Sequence, residues 1–383
     1  MPLPESHRLQ DRAAPSAFAR AGLLAYCLLI VYASWFPFTG WRDIGISPFA
    51  YLWAPLPRYW TVFDLATNVV GYIPFGAFLV CSLYPRVRGS AAVLLTIACG
   101  ILVSGTMEAV QTFLPSRVAS NLDLMTNSLG ACIGAVAGAL LTPTLLQDSP
   151  ILLLRRHWFS PEASRGLIVL ALWPLAQIYP HEYLFGHGQM LPVLSDWLSQ
   201  WLASAIDIGD VLRFGHQLSV EQYWLAETFI TACSLIGTVL MLLGLMREDA
   251  PKAPAALLLT CTAIAVKSLA SALFFGPENA FSWFTPGAKS GLMLGLLLLA
   301  GMVLASPRVQ RRTAILTLVL SMIAVNVAPA NPYFIATLQT WVQGQFLNFN
   351  GAAQFLSLWW PIFALWFLLH LPKHVETSSL KAN

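Results

Sequence analysis

The chain has 383 residues, of which 57% are hydrophobic and 10% charged. A soluble domain carries about 25% charged residues, so the composition excludes an ordinary soluble globular protein and implies a polytopic, all-α membrane helix bundle. The formal net charge is only +3 and no basic run exceeds Arg311-Arg312, which argues against a nucleic-acid partner.

The first 20 residues are polar and carry Arg8, Arg12 and Arg20; the apolar run from Phe18 to Phe36 follows. No small-x-small cleavage pattern stands behind that run, so a retained signal-anchor helix is expected. A span needs about 20 apolar residues. Ten segments qualify: 18–37, 62–83, 90–114, 121–146, 166–180, 222–246, 254–275, 287–305, 313–328 and 352–371. With the N-terminus in the cytoplasm, fifteen of the 21 basic residues fall on the inner side, five on the outer side, and Lys267 within a span. That bias predicts ten spans with both termini cytoplasmic. The segment 147–165 reads as a cytoplasmic linker between a four-helix region (1–146) and a six-helix extension (166–383). In the long outer loop 181–221, residues 194–206 place Leu194, Trp197, Leu198, Trp201 and Leu202 on one helical face, as a helix lying on the outer membrane surface or packed on the protein would.

Within the four-helix region a polar phrase occurs twice. "DLATNVVG" (64–71) and "DLMTNSLG" (123–130) share five of eight positions. Each copy opens an outward-to-inward span, with Thr61 three residues before Asp64 and Ser120 three before Asp123. This is a capping-box pattern with an acid in the first helical turn. Helical spacing aligns Asp64 with Asn68 and Gly71, and Asp123 with Asn127 and Gly130. Gly130, Gly134 and Gly138 form a ladder of small residues that invites close helix packing. Gly71, Pro74 and Gly76 are the less regular counterpart on the first copy, where the proline frees a carbonyl. Between the copies, Ser104, Glu108, Gln111 and Thr112 form a polar stripe ending near Arg117. Glu108 lies about 9 Å below the helix end at 1.5 Å per residue, and an acid at that depth needs a partner, a proton or water. Arg117 is the expected partner. Two parallel copies flanking one antiparallel helix would gather all these groups at the outer ends of their helices. The gathered groups suit a ligand site, a purely structural polar core, or, for the aspartates, simple helix capping.

The segments "DLATNVVGYIPFG", "EAVQTFLPSR" and "DLMTNSLGACIG", in this order, resemble the VanZ family over residues 20–145. The family's typical polar and backbone positions fall on Asp64, Asn68, Pro74, Gly76, Glu108, Gln111, Arg117, Asp123, Asn127 and Gly130. The resemblance implies a bacterial cytoplasmic (inner) membrane protein. The family takes its name from glycopeptide-resistance clusters, where such a protein lowers susceptibility to teicoplanin. Long members with further helices resemble accessories of envelope-polysaccharide or surface-protein assembly. The expected ligand is therefore an amphiphilic cell-envelope molecule: a lipid-linked glycan, a lipid headgroup or a lipoglycopeptide. Asp64, Asn68, Glu108, Gln111, Arg117, Asp123 and Asn127 would bind it, while Gly71, Pro74, Gly76, Gly130 and Gly134 would shape the backbone. Other envelope-assembly proteins are possible partners. Two alternatives stay open. One is a membrane enzyme with Glu108 as acid or base and Arg117 as anion clamp. The other is a scaffold.

Elsewhere, Lys267 is buried in a span and Glu227 is its expected ion-pair partner. His181, Glu182 and His187 lie at no metal-ligand spacing, and the six cysteines sit singly in apolar runs, so neither a metal nor another cofactor is expected. The amide-rich stretch 343–355 reads as the cap of the last helix. No nucleotide-binding loop is present.

Overall fold

A computed structural model describes residues 17–146, 150–160, 163–216, 218–329 and 347–370. These form thirteen α-helices: α1 Ala17–Trp35, α2 Val62–Leu83, α3 Gly89–Gln111, α4 Asn121–Leu146, α5 Pro150–Trp158, α6 Ser164–Ala176, α7 Met190–Leu202, α8 Ile208–Leu212, α9 Val220–Leu245, α10 Lys252–Phe275, α11 Pro286–Met302, α12 Pro307–Val327 and α13 Leu347–Leu369. Among the described residues the only extended pairing is an isolated antiparallel bridge between Phe159 and Met246.

Among the described residues, six helices are long and apolar enough to cross a membrane: Asp64–Leu83, Gly89–Gln111, Asn121–Thr142, Val220–Leu245, Lys252–Phe275 and Gly351–Leu369. Three more of the expected spans are shorter apolar helices, Ala19–Trp35, Ser164–Ala176 and Pro286–Met302. The segment 313–328 lies in α12, whose first turns carry Arg308, Arg311 and Arg312. Three boundaries differ from expectation for local reasons. The linker 147–165 holds the helix α5. The segment 166–180 ends its helix at Ala176, two residues after Pro174, and continues as a loop. The surface helix runs Met190–Leu202 instead of 194–206, because Ala203 takes a left-handed φ of 48° and Ser199 Oγ bonds both N–H and C=O of Ile206. On α7, Leu194, Trp197, Trp201 and Leu202 are exposed while Ser195 is buried. Of the expected cap 343–355, residues 347–355 lie within the helix α13 itself, and 343–346 lie outside the described residues.

The chain divides into two compact units, one within residues 1–157 joined by 346–352, the other within 158–345 joined by 353–383. In the first, α2 and α4 form the tightest helix pair. A Cβ added at Gly130 would strike Val69 O, at Gly134 Ile73 O, and at Gly76 Ala131 O. The contacts are backbone against backbone, which only a small residue permits. Ile30, Tyr72, Phe75, Met107 and Ala131 form the core beneath them. In the second unit α9 is buried along most of its length, and α11 and α12 pack on it.

Candidate functional site

The two copies of the repeat lie side by side rather than on either side of α3, and α3 packs mainly on α4. Both therefore present their N-terminal turns at the same end of the unit. In the first copy the capping box is complete. Thr61 N and Thr61 Oγ1 donate to Asp64 Oδ2 (3.1 and 2.7 Å), and Asp64 N donates to Thr61 Oγ1 (3.1 Å).

In the second copy the box is open. Ser120 Oγ accepts from Leu122 N (3.1 Å) and Asp123 N (3.3 Å), but Ser120 N donates 2.8 Å to Glu108 Oε2. Glu108, 2% exposed, thus stands in for the acid that would close the box. Asp123 is left beside Asn68 on the other copy. Asp64 and Arg117 both lie within electrostatic reach of Asp123, and Arg117 also within reach of Glu108.

The polar stripe of α3 stitches the helices. Asn127 Nδ2 donates to Ser104 Oγ (3.0 Å), which also lies within reach of the buried Tyr72 hydroxyl. Asn127 Oδ1 is buried without a hydrogen-bond partner. Gln111 Nε2 donates to Ser34 O on α1 (2.9 Å). Thr112 Oγ1 lies 3.4 Å from Glu108 O. Ser104, Glu108 and Gln111, all buried, reach three different neighbours: α4, the α3–α4 loop and α1.

Arg117 departs from expectation. Its Nε donates to Phe36 O (2.8 Å) and an Nη to Ala33 O (2.7 Å), so it closes the C-terminal end of α1. Among the described residues it makes no ion pair within 4 Å of Glu108; the two interact only at longer range. Burial pulls the guanidinium down to about 10, against the opposing pull of Glu108 and Asp123, so it is charged at neutral pH.

Of the expected backbone residues, Gly76, Gly130 and Gly134 make the α2–α4 approach. Gly71 does not: a Cβ there would meet nothing within 4 Å, and its carbonyl accepts from Tyr26 Oη (2.6 Å). Pro74 sits inside the continuous α2. Sequence reasoning missed the loop between α1 and α2. Arg42 N donates to Phe113 O (3.0 Å), Tyr51 Oη to Gly105 O (3.0 Å), and Asn121 Nδ2 to Ala54 O (2.6 Å). This loop therefore clasps the same end of α3 and α4, and no periodic signal marks it.

The fold places the repeat, the stripe and Arg117 in one cluster spanning α1 to α4, and these are the residues a family comparison would have to cover. Residues 20–142 match the VanZ/LLP1 family model. The rest of the chain is a helical extension, consistent with a long form of that family. No curated protein and no solved structure matches the chain. The VanZ/LLP1 match takes in both repeat copies, Glu108 and Arg117, so the cluster lies wholly inside the family region.

Proposed function

We propose that this VanZ-like protein sits in the bacterial cytoplasmic membrane with ten spans and both termini in the cytoplasm, and that its polar cluster engages an amphiphilic cell-envelope molecule at the outer leaflet. Teicoplanin-type glycopeptide resistance or envelope-polysaccharide assembly is the setting in which such a molecule would be met. The observation that carries the proposal is the charge balance at the N-terminal ends of α2 and α4. Asp123 and Glu108 lie within electrostatic reach of Arg117, with Asp64 beside Asp123, and Arg117 itself donates to the carbonyls of Ala33 and Phe36. Helix N-termini stabilise acids by a few tenths to about 1 kcal/mol each, which leaves a site rich in acceptors. That suits a headgroup offering an amine or several hydroxyls. Asp64 is exposed and Asp123 half-buried, so both can meet a ligand from the aqueous side.

Binding is favoured over chemistry by two contacts. Glu108 Oε2 accepts the Ser120 N–H, and Nε and one Nη of Arg117 donate to main-chain carbonyls, contacts that serve structure before acid–base or anion-clamp chemistry. The test is lipid and glycolipid identification by mass spectrometry on detergent-purified full-length protein. Wild type should carry an enriched envelope amphiphile that is depleted in Asp123→Asn and in Glu108→Gln. Identical lipid profiles in all three proteins would overturn the proposal.

A further inference from the structure

The extension contains a buried stretch of irregular backbone. Helix α6 has 13 residues, about 20 Å at 1.5 Å per residue, too short for a hydrocarbon core of about 30 Å. After Ala176 the chain continues through Gln177–Gln189, where Gln177, Pro180, His181 and Tyr183 to Gly188 are all buried. Non-helical backbone at membrane depth is tolerated where it is packed in protein or lines a site, and interrupted helices mark binding sites in transporters. Here it is held by side chains from three helices. Thr231 Oγ1 and Ser234 Oγ of α9 donate to Leu184 O (3.1 Å) and Phe185 O (2.9 Å). Asn326 Nδ2 of α12 donates to Gly188 O (2.7 Å), and Lys267 Nζ of α10 to His181 O (3.3 Å).

The expected Lys267–Glu227 ion pair is not formed. Glu227 instead lies beside Thr285 and Ala288 at the N-terminus of α11, where Ala288 N donates to Thr285 Oγ1 (3.1 Å) and Glu227 Oε1 is buried without a hydrogen-bond partner. Lys267 is 3% exposed, and no acid is within its electrostatic reach among the described residues.

A count of donors and acceptors around Lys267 does not close. Gln189 Oε1 can only accept, so His181 Nδ1 (3.1 Å away) carries its proton and His181 Nε2 accepts from Ser357 Oγ. Gln177 Nε2 can only donate, to Trp173 O and to His187 Nε2. The proton of His187 is therefore on Nδ1, and that atom is buried without a partner. Lys267 has three N–H donors and one hydrogen bond among the described residues. The two histidine rings stand 5.4 Å apart, and Lys267 is within electrostatic reach of both. The cluster thus holds an excess of buried donors and one buried amine with no acid beside it, and each buried unpaired donor is costly.

We propose that Lys267 and His187, on the Gln177–Gln189 loop, form a second ligand site in the extension, one that takes an anionic phosphate group. A phosphate offers several acceptor oxygens to the several donors and a negative charge to the lysine. The group belongs either to a phospholipid-type amphiphile or to free phosphate. The site lies outside the VanZ/LLP1 region and is independent of the cluster at Glu108.

The test measures the thermal unfolding midpoint of full-length protein in neutral detergent. Inorganic phosphate, phosphatidylglycerol and a phosphate-free diacylglycerol are added separately. The midpoint of wild type should rise by several degrees with phosphatidylglycerol. The rise should persist in Glu108→Gln and disappear in Lys267→Met. A matching rise with inorganic phosphate assigns the phosphate itself as ligand, and its absence assigns the lipid. His187→Phe keeps an aromatic ring in place and removes the unpartnered donor together with the Nε2 acceptor of Gln177, so it tests the site should Lys267→Met fail to fold. The proposal is overturned by no rise in wild type, by an equal rise with the phosphate-free diacylglycerol, or by a full rise in either site variant.

Discussion

Replacing Glu108 by Gln and by Ala separates its two roles. Glu108 Oε2 accepts the Ser120 N–H at 2.8 Å, and Ser120 Oγ in turn caps Leu122 and Asp123. Gln retains an acceptor oxygen in the same place. A hydrogen bond to a charged group contributes about 1.5–3 kcal/mol and a neutral one about 0.5–1.5. The loss of about 1 kcal/mol is offset by no longer burying a charge. Glu108→Gln should therefore unfold within a few degrees of wild type. Ala leaves the Ser120 N–H buried and unpaired, at about 1–3 kcal/mol, and removes a side chain that is 2% exposed. At about 2–4 °C per kcal/mol for a domain of 150–250 residues, its midpoint should fall by roughly 2–12 °C. Thermal unfolding in detergent, read beside the lipid analysis, gives both numbers. Equal destabilisation by Gln and Ala would refute the geometry, because the Ser120 contact would then not distinguish an acceptor from none. Unchanged lipid content in Glu108→Gln would remove its charge from the site.

Gly134→Val sets a side chain against Ile73 O and Ala77 N, and overpacking of this kind should cost about 1–3 kcal/mol or more. Gly71→Ala meets open space inside a helix and should leave the unfolding midpoint unchanged or raise it by the ~1 kcal/mol that Ala gains over Gly. Arg117→Lys cannot reach Phe36 O and Ala33 O together, and should lower the midpoint by the equivalent of about 1–3 kcal/mol. In the proposed topology Ser116→Cys reacts with a membrane-impermeant thiol reagent from outside, and a reporter fused after Asn383 reads cytoplasmic. Labelling of position 116 from the cytoplasm alone would turn the cluster inward and end the outer-leaflet proposal.

Local and periodic features were legible in the sequence. The Thr61–Asp64 box spans three residues, and the ladder Gly130, Gly134 and Gly138 repeats once per helical turn, so each is written in adjacent text. What depends on pairing in space was not. The repeat implied two parallel helices but not that they touch. Their adjacency follows from Gly76 fitting Ala131 and Gly130 fitting Val69. Lys267 and Glu227 were paired by depth alone, but one is drawn to a loop carbonyl and the other to a helix N-terminus. Ser357 and His181 are 176 residues apart, and nothing in either neighbourhood announces the contact.

The duplicated phrase reaches its use through asymmetry. Were both copies closed boxes, Asp64 and Asp123 would each be spent on its own N-cap and neither would bridge the helices. Glu108 breaks the equivalence. By taking the Ser120 N–H it occupies the position that Asp123 would fill, and Asp123 is left beside Asn68 of the first copy. One buried acid on α3 thus converts a local cap into a link between α2 and α4. The same contact gathers three acids at two adjacent helix N-termini, an arrangement that a structural cap does not need. Two closed boxes would hold the helix ends with two acids, and the third, 2% exposed, adds a desolvation cost that packing alone does not require.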